Sequence, residues 1–268
     1  MLFSARNGAV PMDGTTMDYI RFGTGRRTLI LLPGLGDGLR TVRGTALPMA
    51  VLYRAFAQAF TVYCFSRKNA LPEGCTTRDM ARDLALAMDA LGIKKAHLFG
   101  VSMGGMIAQH FAADFPDRVE KLVLAVTCPR SNPILTESVE EWMALARQED
   151  AAGFMESNVR RIYSDAYYRK NRWLTPLVGA LTKPKSYDRF LRQARACLTH
   201  DAFDRLGAIQ APTLVIGGAK DQALGVQASL DLAFAISGAG LKIYPDWGHG
   251  VYEEAPDFNE TVLEFLLS

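Results

Sequence analysis

The chain has no run approaching the roughly 18 consecutive apolar residues that a transmembrane helix needs, so no membrane-spanning segment is expected. It has no marked excess of either charge. The formal net charge is +2, which gives no electrostatic reason to expect nucleic acid or a membrane surface as a partner. It is poor in cysteine: Cys64, Cys75, Cys128 and Cys197 form no CxxC pair and no metal-type cluster. Neither a disulfide framework nor a metal site is therefore expected, and reduced thiols of a cytoplasmic protein are the plain reading. The opening residues lack the basic start and apolar run of a secretory signal, which agrees with a cytoplasmic location. Internal repeats and low-complexity linkers are absent too. Histidine is scarce, with four in 268 residues, so each can be weighed in turn.

What is present is an ordinary globular composition, 49% hydrophobic and 22% charged. Short apolar runs alternate with longer amphipathic ones. Residues 16–22, 28–32, 61–65, 96–99, 121–126, 213–216 and 241–244 read as strands. Residues 77–91, 103–115 and 258–267 read as helices, the first opened by Thr76-Thr77-Arg78-Asp79, an N-cap with an acid close behind. This alternation implies βαβ crossovers and a mostly parallel sheet covered by helices, an α/β fold. Between 131 and 206 the alternation lapses into amphipathic helical stretches. Residues 1–130 and 207–268 are therefore expected to form the α/β core, with 131–206 a helical cap inserted over the sheet's carboxyl edge. Open sheets of this kind bind ligands at that edge.

The chemistry begins at Gly100-Val101-Ser102-Met103-Gly104. A buried strand ends there and a helix starts at once. A serine on such a turn needs a strained backbone to lift its hydroxyl above the sheet, with glycine two residues before and after it. The pentapeptide alone would arise by chance in roughly one chain in twelve of this composition, so its strand-to-helix context carries the weight.

A neutral serine needs a base, and the base needs a carboxylate to hold its tautomer. His97 lies within a strand. His110 falls two turns into the helix after Ser102 and points away from the elbow. His200, beside Asp201, reads as a helix-cap or surface group. His249 remains, in the glycine-flanked loop Asp246-Trp247-Gly248-His249-Gly250 after the last strand. Asp221, at the carboxyl end of the strand before it, supplies the acid in the order Ser102, Asp221, His249; Asp246 is the fallback. The loop Leu32-Pro33-Gly34-Leu35-Gly36-Asp37-Gly38 can turn a main-chain N–H toward the serine. The oxyanion donors are assigned to the N–H groups of Leu35 and Met103. A dinucleotide-type phosphate loop does not fit, because the third glycine and the helix register are missing.

With these motifs in order, the chain resembles the α/β-hydrolase superfamily, in particular its branch of small carboxylesterases, lactonases and perhydrolases. The likeness spans nearly the whole chain. It includes Phe115-Pro116-Asp117-Arg118-Val119 and Asp204-Arg205-Leu206, each ahead of a strand. It departs at Pro33-Gly34, where the family usually has histidine-glycine, which changes how the loop is braced. It departs again at 66–72, where only Arg67 survives from the family's D-x-R-G-x-G-x-S loop.

The resemblance implies the α/β-hydrolase fold and a serine hydrolase that cleaves a small-molecule carboxylic ester through an acyl-enzyme, with no cofactor. A lactone or enol-lactone, a carbon–carbon bond, or peroxide in place of water would engage the same triad. A non-catalytic receptor on this fold typically lacks the serine or the histidine, and both are present. Trp142, Phe154 and Trp173 are the expected pocket residues. Between 156 and 195 ten Lys or Arg stand against three Asp or Glu. Arg160, Arg161, Arg189 and Arg192 there could attract an acidic substrate or acyl carrier, although a solvated helical face explains the same pattern.

Overall fold

Alternate residues of the central strands face opposite sides of one sheet, and this organises the molecule. The computed structural model describes residues 2–268. Its strands are β1 (Arg6–Met12), β2 (Thr15–Phe22), β3 (Arg27–Leu32), β4 (Phe60–Lys68), β5 (Ala96–Val101), β6 (Val119–Ala125), β7 (Thr213–Gly218) and β8 (Gly240–Tyr244). They form one eight-stranded sheet in the order β1-β2-β4-β3-β5-β6-β7-β8. The pairs β1–β2 and β2–β4 are antiparallel, and every pair from β4–β3 onward is parallel.

The helices before the sheet's midpoint are α1 (Ala46–Leu52), α2 (Thr77–Ala90) and α3 (Met103–Asp114). Between β6 and β7 come α4 (Pro133–Arg147), α5 (Ala151–Ile162), α6 (Asp165–Asn171), α7 (Thr175–Thr182) and α8 (Asp188–Leu198). The chain closes with α9 (Val226–Ala235), α10 (Val251–Glu254) and α11 (Phe258–Leu267). Ile30, Leu32, Leu98, Leu122 and Leu124 point into one core with α2, α3, α8 and α9. Their neighbours Leu29, Leu31, Phe99, Val123 and Ala125 point into a second core with α1 and α11. Period-two alternation thus buries both faces, as parallel strands require. Helix α2 starts at a full capping box, Thr76 and Asp79 each accepting the other's backbone N–H.

The strand β1 was not legible. Gly8 and Pro11 break its pattern, and Val10 is its one fully buried residue. It survives as an edge strand, where a proline costs little because one side needs no partner. Strand β4 runs three residues past the expected end, drawing Ser66, Arg67 and Lys68 out of the loop and into the sheet. No helix among the described residues is long and apolar enough to cross a membrane.

Candidate active site

The elbow forms because glycine permits an approach no other residue would. A β-carbon on Gly104 would collide with the backbone of Leu32 and Pro33, and one on Gly100 would lie 2.6 Å from the Gly104 carbonyl. Strand β5, helix α3 and the end of β3 therefore converge on Ser102. Ser102 itself has φ 53° and ψ −121°, a left-handed conformation that costs a non-glycine residue energy and is held by the surrounding packing. Its N–H donates to the Ala125 carbonyl at 2.9 Å, which pins the turn to β6.

His249 and Asp221 come together 28 residues apart in sequence, with Nδ1 of His249 2.8 Å from Oδ2 of Asp221. Both side chains are buried. The other carboxylate oxygen accepts from the N–H groups of Ala223 (2.8 Å) and Leu224 (2.9 Å), so the acid is fixed from two sides. Main-chain bonds from Ala219 to Tyr244 (2.9 Å) and Lys220 to Trp247 (3.0 Å) tie the acid's turn to the histidine's loop. Asp246 is exposed and faces Lys220 at 3.6 Å, so the alternative acid plays no part in holding His249. With Nδ1 on the carboxylate, Nε2 is the nitrogen left for a reacting group.

The glycine loop reaches the serine as well. A β-carbon on Gly34 would sit 3.4 Å from Ser102 Cβ and 3.8 Å from its Oγ. Met103 opens α3 and Leu35 opens a short 3-10 turn over Leu35–Gly38. Hydrogen bonding within α3 begins with Gly105 donating to Ser102, and within the turn with Asp37 donating to Gly34. The N–H groups of Met103 and Leu35 have no acceptor among the described residues, as is usual at a helix start.

Ser102 and His249 share a cavity of about 330 Å³. Its lining is largely apolar, with Leu35, Met49, Val101, Trp142, Phe154 and Phe190. Two of the expected pocket residues, Trp142 and Phe154, are therefore in place. Trp173 is not: it is 73% exposed and lies outside the lining, because it falls in the turn between α6 and α7 on the outer side of the helical segment.

The other histidines are neutral, buried groups. His200 is 2% exposed rather than at the surface, with Thr77 Oγ1 2.9 Å from Nδ1 and the Cys128 carbonyl 3.2 Å from Nε2. It was misplaced because the polar Thr199-His200-Asp201 run resembles a helix end, while the ring tucks under against His110. Burial pushes His200 down to about 3, and His110 and His97 down to about 4. The four cysteines are free and buried. Burial raises their thiols, so they are poor nucleophiles.

The four arginines singled out by composition are held by internal acceptors. Arg160 and Arg161 pair with Glu141, and Arg161 also with Glu137. Arg192 donates to the Leu71 carbonyl. Arg189 pairs with Asp37 at 2.6 Å and donates to the carbonyls of Asp37 and Arg67. None of the four lines the cavity.

Asp37 is a residue that sequence reasoning passed over. Its carboxylate, fully buried, also accepts from the Arg67 N–H (3.1 Å) and from Gln193 (3.2 Å), while Arg67 Nη2 donates to the Pro33 carbonyl at 2.6 Å. This network braces the loop at the point where the family's usual histidine is missing. A charged residue inside an otherwise apolar glycine loop was the available signal.

Residues 27–256 match the family described as alpha/beta hydrolase fold. The chain belongs to this family. A curated relative, the 2-hydroxy-6-oxononadienedioate/2-hydroxy-6-oxononatrienedioate hydrolase of Klebsiella pneumoniae subsp. pneumoniae, is 31% identical over 254 residues, covering 91% of this chain and 88% of the relative. Among solved structures, the enol-lactonase from Burkholderia xenovorans superposes with a TM-score of 0.81 at 23% identity, covering 97% of this chain and all of that one (100%). A meta-cleavage product hydrolase from Pseudomonas fluorescens gives 0.81 at 22% identity over 97% of each chain. At these identities the two structures establish the shared fold. The protein is an enzyme of the hydrolase class.

Proposed function

We propose that the protein is a serine hydrolase that cleaves a carboxylic ester of a small molecule through an acyl-enzyme. The observation that carries this reading is the buried His249–Asp221 hydrogen bond in a cavity shared with a strained Ser102. Ser102 Oγ attacks the ester carbonyl while His249 Nε2 takes the hydroxyl proton. Asp221 holds the imidazole in the tautomer that leaves Nε2 free and stabilises the imidazolium. The N–H groups of Leu35 and Met103 receive the tetrahedral oxyanion. His249 then returns the proton to the leaving alcohol. A water deprotonated by His249 hydrolyses the acyl-enzyme, releasing the acid and restoring Ser102.

The test is turnover of p-nitrophenyl butyrate by the wild type and by Ser102→Ala, with labelling by a fluorophosphonate. The variant should lose turnover and labelling while keeping its circular dichroism spectrum. A labelled or active variant would refute the assignment.

A second reading draws on the curated relatives named for hydrolysis of an oxo-dienedioate. The same residues would serve it. The cavity argues for the ester, because its lining includes no Lys or Arg to meet the carboxylates of a dioate.

A further inference from the structure

The cavity's lining has polar members as well as apolar ones, and its charged residues are acidic. Tyr53, Tyr163, Tyr252 and Glu253 belong to the lining beside the apolar side chains, and its other acid, Asp37, is buried and paired with Arg67 and Arg189. Tyr163 Oη donates to Glu253 Oε2 at 2.6 Å. Glu253 makes no ion pair among the described residues, and it is an exposed residue on the lining of the cavity. Asn158 joins the lining, and its carboxamide has no protein partner among the described residues.

The phenols feel this carboxylate. Burial, and next the charge of Glu253, raise the Tyr163 and Tyr252 phenols, while burial, Cys64 and Glu253 raise Tyr53. All three stay neutral, and with the Tyr163 hydroxyl committed to Glu253 they present mainly aromatic faces.

From this arrangement we propose that Glu253, framed by Tyr53, Tyr163 and Tyr252, is a specificity-determining residue that admits uncharged and cationic esters and rejects carboxylate-bearing ones. The proposal rests on the ester reading above and adds the substrate's charge class. A carboxylate entering the cavity would lose water, meet no cation, and approach a like charge. A neutral acyl chain gains the apolar lining. An ammonium group gains the Glu253 charge and the faces of the tyrosines and Trp142. The electrostatic contribution is moderate because Glu253 is exposed on its solvent side.

The experiment compares three esters of equal reach: p-nitrophenyl hexanoate and its analogues ending in trimethylammonium or carboxylate. In the wild type, kcat/KM for the cationic ester should exceed that for the anionic one by roughly tenfold or more, and high salt should narrow the gap. In Glu253→Gln the cationic-to-anionic ratio should shrink by about tenfold, and in Glu253→Lys it should invert. Using a ratio within each variant cancels any general loss of activity.

Equal wild-type turnover of anionic and cationic esters would overturn the proposal. So would a ratio that stays the same in both variants. A separate arm measures binding of phenyltrimethylammonium and of benzoate to Ser102→Ala by calorimetry. Preference for the cation there, combined with no turnover of any ester by the wild type, would refute the ester reading and leave the charge selection standing.

Discussion

Replacing Asp37 with alanine should damage both the fold and the rate, by amounts the structure sets. The Asp37 carboxylate is fully shielded from solvent, and the Arg67 side chain is 3% exposed. Burial lowers the Arg67 guanidinium below its ordinary range, and Asp37 opposes that shift. Without Asp37, Arg67 and the half-buried Arg189 lose their counter-charge. Breaking a buried pair by deleting one partner costs about 3–5 kcal/mol, because the remaining charge stays desolvated. For a chain of this size that is a fall in Tm of roughly 10 °C.

The rate should fall for a different reason. Asp37 lies two residues after Leu35 on the same short turn, so releasing it should free the Leu35 N–H, the proposed oxyanion donor, from its alignment. Loss of a whole oxyanion donor costs on the order of 10²–10³ in kcat, and a misaligned donor keeps part of that, so a fall of about 10–100-fold is expected. KM should move less, because the donor acts mainly on the transition state. Thermal unfolding and p-nitrophenyl butyrate kinetics measure both effects. The control is Glu149→Gln, which breaks an exposed pair with Lys183 and should leave Tm in place. An Asp37→Ala protein that melts near the wild type refutes the energetic argument. One that melts early but keeps its kcat refutes the link to Leu35.

Three further outcomes are expected. Asp221→Asn should lower kcat by roughly 10³–10⁴-fold with little loss of stability, since it disturbs the His249 tautomer and not the packing; an active variant would remove Asp221 from the triad. Stability should fall as the pH drops below about 6.5, the ordinary histidine value. His200 titrates near 3 when folded, so the unfolded chain binds a proton that the folded chain refuses, and the deficit from His200 reaches about 2 kcal/mol at pH 5. Urea midpoints at pH 7 and pH 5 should differ by less in His200→Gln than in the wild type, and an equal difference would count against this account. Amide hydrogen exchange should protect α8 as strongly as β5, whereas fast local exchange in α8 would show that its bonds to the core open readily.

The legible parts of this molecule were those with local signals. Strands β3 to β8 each carry a short, mostly apolar run, and the elbow, the acid turn and the histidine loop each sit at the end of such a run. Each could be placed by chain order alone. The illegible parts depend on contacts between distant segments. Strand β1 contains Gly8 and Pro11 and holds its place by pairing with β2. His200 looks like a helix end until α2 brings Thr77 against it, 123 residues away in sequence. The arginines of α5 and α8 left open a solvated face or an attractor for acidic partners, because their acceptors, Glu137 and Glu141 on α4 and Asp37 in the glycine loop, lie on other elements. Trp173 failed as a pocket residue because aromatic identity does not reveal that it falls in an exposed turn between α6 and α7.

These long-range contacts decide what the helices between β6 and β7 can do. Arg189 joins α8 to the glycine loop beside Ser102, and its other donors meet the end of β4. The Gly250 N–H donates to the Ile162 carbonyl at 2.6 Å, joining α5 to the histidine's loop. The N–H and hydroxyl of Ser164 both reach Glu254, at 2.8 and 2.7 Å. Asn132 donates to the Leu224 carbonyl at 3.0 Å, next to the acid's turn. The segment is thus bonded to all three loops that carry the proposed chemistry. A lid that swung away at each turnover would have to break a buried ion pair and several shielded hydrogen bonds, at a cost comparable with the stability of a domain. This bonding favours a fixed wall over a swinging lid. Substrate size is then set by a cavity of about 330 Å³, and entry falls to its mouth, where Leu52 and Glu253 are exposed. Of the two acidic residues on the cavity's lining, Asp37 is buried and paired, so the proposed discrimination by charge falls to Glu253.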